Sequence, residues 1–421
     1  MPAMPDRPAG STVPLIAAFV AAQVGMLQGA GTFPALLPNF LDAWSLTNTD
    51  AGWINGIFLA GYTAAVPFLV SLSDRAPARR IFTLSGLLGV LSSLGFALLA
   101  EGFWTAMAFR LLGGVAVAGT YMPGLKLLSD HLEHRDPTGD HSRATAFYVS
   151  GFGLGMSISF FLGGLIGEAW GWPVAFAVSA AGPLAAVLVV ALAVPRPDPA
   201  PRAAPATHLL DFRPVFRQRR AMAYVLAYTV HNFELFAFRS WAVAFLAFAV
   251  TAGPDPAGAA AFPLGPATIV AIAIALGPAG SVLGNELSRK IGRNLAITGL
   301  MWASTLVGLW FGFIADWPYA LVAAIAVFYC VLQVSDSASI TAGTVANAPP
   351  GYRGATLAVQ STIGFVGSSA GPVVFGWLLD RLASAGVGGL ATWGWAFAFA
   401  GLVVGTGPLF VRWLAGPDPK S

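Results

Sequence analysis

The sequence predicts an all-α polytopic membrane protein whose twelve transmembrane helices form two pseudo-symmetric six-helix bundles, with both termini cytoplasmic. Three observations predict this fold: the composition, the spacing of the apolar segments and the distribution of basic residues. Of the 421 residues, 56% are hydrophobic and only 10% are charged, whereas a soluble chain carries about 25% charged residues. Most of the surface therefore has to face lipid, and the lipid bilayer is an expected partner.

Apolar segments long enough to cross a bilayer, which takes about 20 helical residues, recur along the whole chain. Charged residues or proline and glycine separate twelve of them. In chain order, spans one to twelve are predicted at 14–40, 51–72, 81–100, 103–128, 143–167, 172–194, 221–248, 264–288, 294–315, 318–343, 355–379 and 391–414.

Basic residues fall mainly on one side of this arrangement. With both termini cytoplasmic, 18 of the 22 Lys and Arg lie on the cytoplasmic side and only Arg381 lies on the other, while Arg110, Lys126 and Arg239 fall inside spans. Cytoplasmic loops are enriched in Lys and Arg, so the distribution supports this orientation and explains the net positive charge without a nucleic-acid partner. The excess of arginine over lysine favours a bacterial protein, located in the inner membrane.

The chain divides into two halves joined by a segment rich in proline and arginine. We expect an N-terminal tail at 1–13, a bundle at 14–194, a cytoplasmic linker at 195–220, a second bundle at 221–414 and a C-terminal tail at 415–421. At an offset of 211 residues, five positions of span five recur in span eleven: Ala144, Thr145, Ser150, Gly153 and Ser157 match Ala355, Thr356, Ser361, Gly364 and Ser368. This recurrence favours a duplicated six-helix unit, a known transporter design.

Two short motifs lie where the predicted topology makes them informative. SLSDRAPARR follows span two and contains Asp74, Arg75, Arg79 and Arg80, while FRLLGGVAVAG in span four contains Arg110. They are similar to the GxLxDRxGRR and RxxxGxG motifs of the major facilitator superfamily, although the first has other residues at its two glycine positions. Together with the span count and the linker, they make the whole chain resemble that family.

The resemblance implies a mechanism and a layout. It implies a secondary transporter whose halves rock about a central cavity, with spans one, four, seven and ten lining that cavity. The loop of Asp74, Arg75, Arg79 and Arg80 is then a cytoplasmic gating loop, which holds the neighbouring helices and releases them as the halves move. Span five also resembles the family's antiporter motif, with Phe160 at its proline position.

The residues themselves indicate where a site lies, because an ionisable group at the bilayer centre costs about 2.5–3.5 kcal/mol. Spans three, six, nine and twelve have no charged residue in their interiors, whereas polar groups recur on every third helix from span one. The predicted substrate-binding or proton-coupling residues are Gln28, Arg110, Tyr121, His231, Asn232, Glu234, Arg239, Gln333 and Asp336. Helical spacing puts His231 with Glu234, and Gln333 with Asp336, on shared faces.

These residues favour transport of a small solute, with protons as a second partner. Glu234 and Asp336 are the candidate protonation sites, and the basic residues Arg110, His231 and Arg239 favour an anionic or zwitterionic organic molecule. No ATP-binding, metal-binding or catalytic motif occurs in the sequence. We therefore expect no enzyme activity, no cofactor and no metal, and we expect a monomer.

Each candidate residue also has a structural interpretation. Arg239 could extend toward the lipid headgroups, Glu234 could form a fixed ion pair with Arg110 or Arg239, and His231 could bind a backbone carbonyl. Two alternative functions also remain open at this stage. The aromatic content favours proton-coupled multidrug efflux, and a sensor built on a transporter fold would be an alternative of another class. Uptake or efflux, and symport or antiport, do not follow from the sequence.

Overall fold

The computed structural model describes residues 12–73, 76–136, 139, 141–196 and 212–416. Throughout these ranges the regular structure is helical, and eleven helices are long and apolar enough to cross a membrane. Spans two to nine are Asn48–Ser73, Ala78–Leu99, Phe103–Arg135, Ser142–Trp170, Trp172–Ser179 with Ala181–Ala193, Arg219–Ala252, Pro266–Ile291 and Arg293–Phe311. Spans ten to twelve are Tyr319–Val334 with Ser337–Ala346, Arg353–Ser384, and Gly389–Val404 extended by Gly407–Phe410 and Val411–Ala415. The predicted all-helical membrane fold is thus confirmed.

Span one differs from the continuous helix predicted at 14–40. It consists of Val13–Met26, Thr32–Ala35 and Leu37–Ala43, with a turn between the first two pieces. Glycine disfavours the helix, and proline cannot donate the backbone hydrogen bond of a helix interior. Gly29 and Gly31 lie in the turn and Pro34 and Pro38 follow it, which explains why only the first piece is a regular helix of some length.

Span ten is interrupted near its middle. Its first helix ends at Val334, the second begins at Ser337, and Asp336 occupies the N-cap position of the second helix. Span eight approaches this break very closely at Gly284, where a Cβ atom would collide with the backbone oxygen of Ser335. The close approach of span eight to this break therefore requires glycine at position 284. The break also places the end of one helix and the start of the next inside the bundle.

The two halves repeat the same packing. In the N-terminal half span one packs against span five, span two against span four, and span three against span six. In the C-terminal half span seven packs against span eleven, span eight against span ten, and span nine against span twelve. Each pair in one half thus corresponds to a pair six spans later, as expected for pseudo-symmetric bundles.

The halves contact each other mainly through two pairs of helices, span two with span eleven and span five with span eight, and span seven also contacts the two short pieces of span one. The two ends of the bundle are called here the linker end, where Arg80, Arg196 and Arg219 lie, and the Asp380 end. At the Asp380 end the first turn of span two lies against the last turn of span eleven. The Asp380 carboxylate accepts hydrogen bonds from the backbone N–H groups of Asn48 at 3.1 Å and Thr49 at 2.7 Å.

Side chains of span two strengthen this contact. The Asn48 amide and the Thr49 hydroxyl also donate to Asp380, at 2.8 and 2.6 Å. Deeper in the bundle and within the C-terminal half, the Trp241 indole of span seven donates to the backbone oxygen of Pro372 at 3.0 Å, which fixes the helix that packs against span two. A carboxylate at a helix N-terminus satisfies free backbone donors and interacts favourably with the helix dipole. The Asp380 end is therefore closed by specific hydrogen bonds between the halves.

Candidate functional site

A cavity of about 550 Å³ lies between the halves, displaced toward the linker end. Its described lining comes from spans two, four, five, seven, eight, ten and eleven, and none of that lining belongs to span three, six, nine or twelve. Polar groups and rings reach it from both halves: Tyr62, Tyr121 and Phe152 from the first, and Tyr228, Asn285, Gln360 and Phe365 from the second. A cavity of this size, with convergent polar groups and aromatic walls, suits a small organic ligand.

Span seven contributes one continuous face to the cavity. Six of its residues line the cavity: Tyr228, His231, Asn232, Leu235, Phe236 and Arg239. At about 100° per residue these positions occupy an arc of about 140°. Glu234 and Trp241 lie outside this arc, so the helix separates its ionisable residues between two environments. Of the predicted site residues, the structure brings Tyr121, His231, Asn232 and Arg239 together around the cavity.

His231 lies at the cavity wall and contacts the interruption of span ten. Its Nδ1 atom is 2.7 Å from Oδ1 of Asp336. Both side chains are almost fully buried, and the ring of Tyr228 stacks on the imidazole with centroids 5.6 Å apart. Because Asp336 begins a helix, its carboxylate also lies at the favourable end of a helix dipole. Spans seven and ten are thus joined by a buried pair of titratable groups.

Glu234 faces the interior of the C-terminal half and is absent from the described lining of the cavity. Its carboxylate accepts hydrogen bonds from the Ser304 hydroxyl of span nine at 2.9 and 3.0 Å and from the Tyr329 hydroxyl of span ten at 2.7 Å. Its hydrogen-bond partners are hydroxyl groups, and the fixed ion pair with Arg110 or Arg239 is not formed among the described residues. Three spans of one half meet at this carboxylate.

Arg110 binds the turn that interrupts span one. Its guanidinium donates to the carbonyl oxygens of Gly29 at 3.0 Å, Ala30 at 3.2 Å and Ile54 at 3.5 Å. Its charge lies 4.4 Å from the centre of the Phe58 ring, a favourable cation–π contact. The carbonyl groups at a helix end have no helical partners, so Arg110 stabilises a turn that the chain otherwise could not bury. It lines smaller pockets beside the main cavity.

Two other predicted site residues also lie away from the described cavity lining. The Gln28 amide donates to the carbonyl oxygen of Val24 at 2.8 Å, within span one. Gln333 is buried one turn before Asp336 on the helix that precedes the break. We assign both to the packing of their own halves, and the buried amide of Gln333 has no hydrogen-bond partner among the described residues.

The structure describes two of the four predicted gating-loop residues, Arg79 and Arg80. Asp74 and Arg75 lie outside the described residues. Arg79 is buried and donates to the carbonyl oxygens of Val190 and Pro195 at 2.7 Å each, which ties the start of span three to the end of span six. Arg80 is exposed at the linker end.

Several cavity residues carry no charge and were missed by sequence reasoning based on buried charge. Tyr62, Phe152, Tyr228, Gln360 and Phe365 line the cavity, but aromatic and amide side chains are common in any membrane helix. Tyr228 could have been found, since it lies three residues before His231 and shares its face. Among the described residues, no group of three or more His, Cys, Asp or Glu side chains could hold a metal ion.

The sequence matches a known family over most of its length. The family model described as Major Facilitator Superfamily matches residues 15–372. The probable sphingolipid transporter spinster homolog 1 of Arabidopsis thaliana is 22% identical over 322 residues, covering 68% of this chain and 62% of that protein. The chain therefore aligns with less than two-thirds of this curated relative.

Solved structures of similar fold cover nearly the whole chain. A mutant of the nucleoside transporter NupG superposes with a TM-score of 0.75 at 15% identity, covering 94% of this chain and 99% of the other. A bacterial homolog of the human lysosomal transporter Spinster, inward-facing and unoccupied, superposes with a TM-score of 0.67 at 16% identity, covering 98% and 96%. At these identities the similarity shows the shared fold.

Proposed function

Since the chain belongs to the Major Facilitator Superfamily, we propose that it is a secondary active transporter working by alternating access. The solute is a small anionic or zwitterionic organic molecule, its movement is coupled to protons, and the membrane is the bacterial inner membrane. Transport by this mechanism needs a site between two mobile halves, open to one side at a time. It does not need an enzymatic step or a cofactor.

The observation that carries this proposal is the cavity between the halves, together with the closed Asp380 end. The cavity receives side chains from both halves and lies toward the linker end, whereas Asp380 joins the halves at the other end. If the distribution of arginines sets the orientation as the sequence predicts, the linker end is cytoplasmic. The cavity then opens to the cytoplasm, and opening the other side requires the Asp380 hydrogen bonds to break.

The chemistry of the lining supports a charged organic solute. Arg239 and His231 supply positive charge or donors, Asn232 supplies an amide, and the rings of Tyr62 and Phe365 supply flat apolar surface. The names of the relatives point to organic substrates, a sphingolipid for one and nucleosides for another. The aromatic walls also favour a second candidate, proton-coupled multidrug efflux, in which flat apolar compounds would be moved.

Proton coupling is supported by the buried His231–Asp336 pair at the cavity wall. A solute anion that binds near His231 changes the balance of charge around Asp336, so solute and proton occupancy affect each other. Glu234, held by hydroxyl groups behind the same helix, is a second protonatable group within the C-terminal half. Asp336 lies at the break in span ten, and Glu234 lies on span seven, which lines the cavity.

The test is flux into liposomes containing the purified protein. An imposed pH gradient should drive movement of at least one compound from a panel of radiolabelled organic acids, amino acids, nucleosides and cationic dyes, and a protonophore should abolish it. Movement of anionic or zwitterionic compounds supports the proposed solute, and movement of dyes alone supports multidrug efflux. Absence of gradient-driven flux, with no ligand raising the thermal unfolding midpoint, would favour the sensor.

A further inference from the structure

A second, smaller cavity of about 30 Å³ lies beside the main one, and both lining arginines are buried. Arg110 reaches it from span four and Arg239 from span seven, so the two halves each contribute one guanidinium. Arginine stays protonated in proteins, and like charges in a site with little water repel each other. The small cavity therefore concentrates positive charge where the halves meet.

The donors around this cavity are incompletely satisfied. Arg239 forms no ion pair with a carboxylate among the described residues, and its Nε atom lacks a hydrogen-bond partner. The amide nitrogen of Asn55, also buried in the lining, lacks one too. A buried donor without a partner is costly, and a buried charge without a counterion is more so. Two unpartnered donors in one cavity indicate that it accommodates an acceptor.

Aromatic rings hold the guanidinium groups without neutralising them. The charge of Arg110 lies 4.4 Å from the Phe58 ring centre, and that of Arg239 lies 5.6 Å from the Phe236 ring centre. Three backbone carbonyl groups further satisfy Arg110. Rings and carbonyls fix the positions of the arginines, but neither supplies a negative charge.

The size and position of the cavity define its ligand. A water molecule needs about 10–15 Å³ of such space, so there is room for a compact anion and none for a whole organic solute. Phe152, Phe236 and Arg239 line both this cavity and the main one. A solute in the main cavity can therefore place one end here.

We propose that this small cavity binds a compact anionic group between Arg110 and Arg239, either the carboxylate of the transported solute or a free inorganic anion. The proposal deepens the proposed transport function and rests on it for the identity of the solute. Because each arginine belongs to a different half, the bound anion links the halves on the closed side of the main cavity.

Thermal unfolding tests the site without any transport assay. The midpoint of the purified protein would be measured in low-salt buffer and then as sodium acetate or sodium chloride is added, with Arg239→Gln measured at the same concentrations to separate the site from general effects of salt. We expect a saturable rise in the midpoint. Stabilisation by acetate alone identifies a carboxylate site, and stabilisation by chloride as well identifies a general anion site. Arg239→Gln should raise the half-saturating concentration at least about tenfold.

Arg381→Gln is the matched control, because Arg381 is exposed at the Asp380 end with its guanidinium over the Trp377 ring, and its loss should leave the anion response unchanged. Asn55→Asp keeps the size of the side chain and places a covalently attached carboxyl group in the lining. We expect it to raise the midpoint in low-salt buffer and to remove the response to acetate. The proposal is overturned if the parent protein shows no saturable response, or if Asn55→Asp lowers the midpoint and the response persists. If anions stabilise the protein but no solute is moved in liposomes, the result contradicts the proposed transport function and supports the anion site.

Discussion

At the scale of single residues, span seven assigns its titratable groups to different tasks by their angular positions. His231 and Arg239 lie on the face that lines the cavity, whereas Glu234 points into the C-terminal half and binds two hydroxyl groups. Substitutions on the cavity face should therefore change transport, and substitutions around Glu234 should change stability first. The two predictions that follow separate these effects.

Asp336→Asn removes the carboxylate that faces His231 and keeps its shape. If the His231–Asp336 pair couples solute to protons, pH-gradient-driven flux in liposomes should fall at least about tenfold, a change of about 1.4 kcal/mol in the barrier. Asp130→Asn is the control, since Asp130 lies on span four, away from this pair, and forms a partly exposed ion pair with Lys126 of the same span. Undiminished gradient-driven flux in Asp336→Asn would refute the coupling role.

Tyr329→Phe deletes one donor to the buried Glu234 carboxylate. A hydrogen bond to a charged group contributes about 1.5–3 kcal/mol, so we expect a lower free energy of unfolding by about that amount, seen as a lower unfolding midpoint. Tyr319→Phe is the matched control, because the Tyr319 hydroxyl is buried without a hydrogen-bond partner. Equal midpoints for the two variants would show that Tyr329 does not stabilise Glu234.

The ionisable members of the site could be predicted from the sequence because charge is rare in apolar helices. The groups to which these residues hydrogen-bond could not be predicted. Arg110 binds carbonyl groups exposed by a turn in span one, and that turn was not expected. The partners of Glu234 are a serine and a tyrosine on spans nine and ten, and hydroxyl groups of this kind occur in most spans.

At the scale of elements, the positions of the spans followed from hydropathy, but their interruptions did not. Span three was predicted at 81–100 and forms Ala78–Leu99, whereas spans one and ten are broken inside the predicted ranges. A broken helix needs a neighbour that satisfies its free backbone groups. That neighbour belongs to another span, so local sequence carries little information about it.

Gly284→Ala tests the contact that supports the break in span ten. The added methyl group would collide with the backbone oxygen of Ser335, so spans eight and ten must separate and we expect a markedly lower unfolding midpoint. Gly299→Ala is the control within the same half, since nothing lies within 4 Å of its added atom and alanine favours the helix. An unchanged midpoint in Gly284→Ala would show that the close approach is not needed.

Asp380→Asn tests the hydrogen bonds that close the Asp380 end. An amide oxygen accepts more weakly than a carboxylate, so the open population at this end should rise about 5- to 30-fold for a loss of about 1–2 kcal/mol. Spin labels at the exposed positions Ala43 and Ala385, one in each half, would report longer distances. The exposed Asp316 at the same end provides the control Asp316→Asn, and identical distance distributions for both variants would contradict the closing role.

At the scale of the whole molecule, the two halves share one packing scheme and meet mainly through spans two, five, eight and eleven. The largest hydrophobic cluster runs through both halves, whereas smaller clusters lie within the N-terminal half and within the C-terminal half. The packing inside each half lets the halves rotate as units once the contacts between them separate. The central claim is therefore that the cavity is reached from either side of the membrane in turn.

The most direct test is the reaction of a cysteine in the cavity with a membrane-impermeant thiol reagent. Ser281 lines the cavity on span eight and Cys330 is buried, so Ser281→Cys would be compared with the parent chain in vesicles of both orientations. Ser384→Cys, exposed at the Asp380 end, reports the sidedness of each preparation. We predict that Ser281→Cys reacts rapidly from the linker side and more slowly, but measurably, from the opposite side. Reaction from the linker side alone, even when combined with Asp380→Asn, would contradict alternating access.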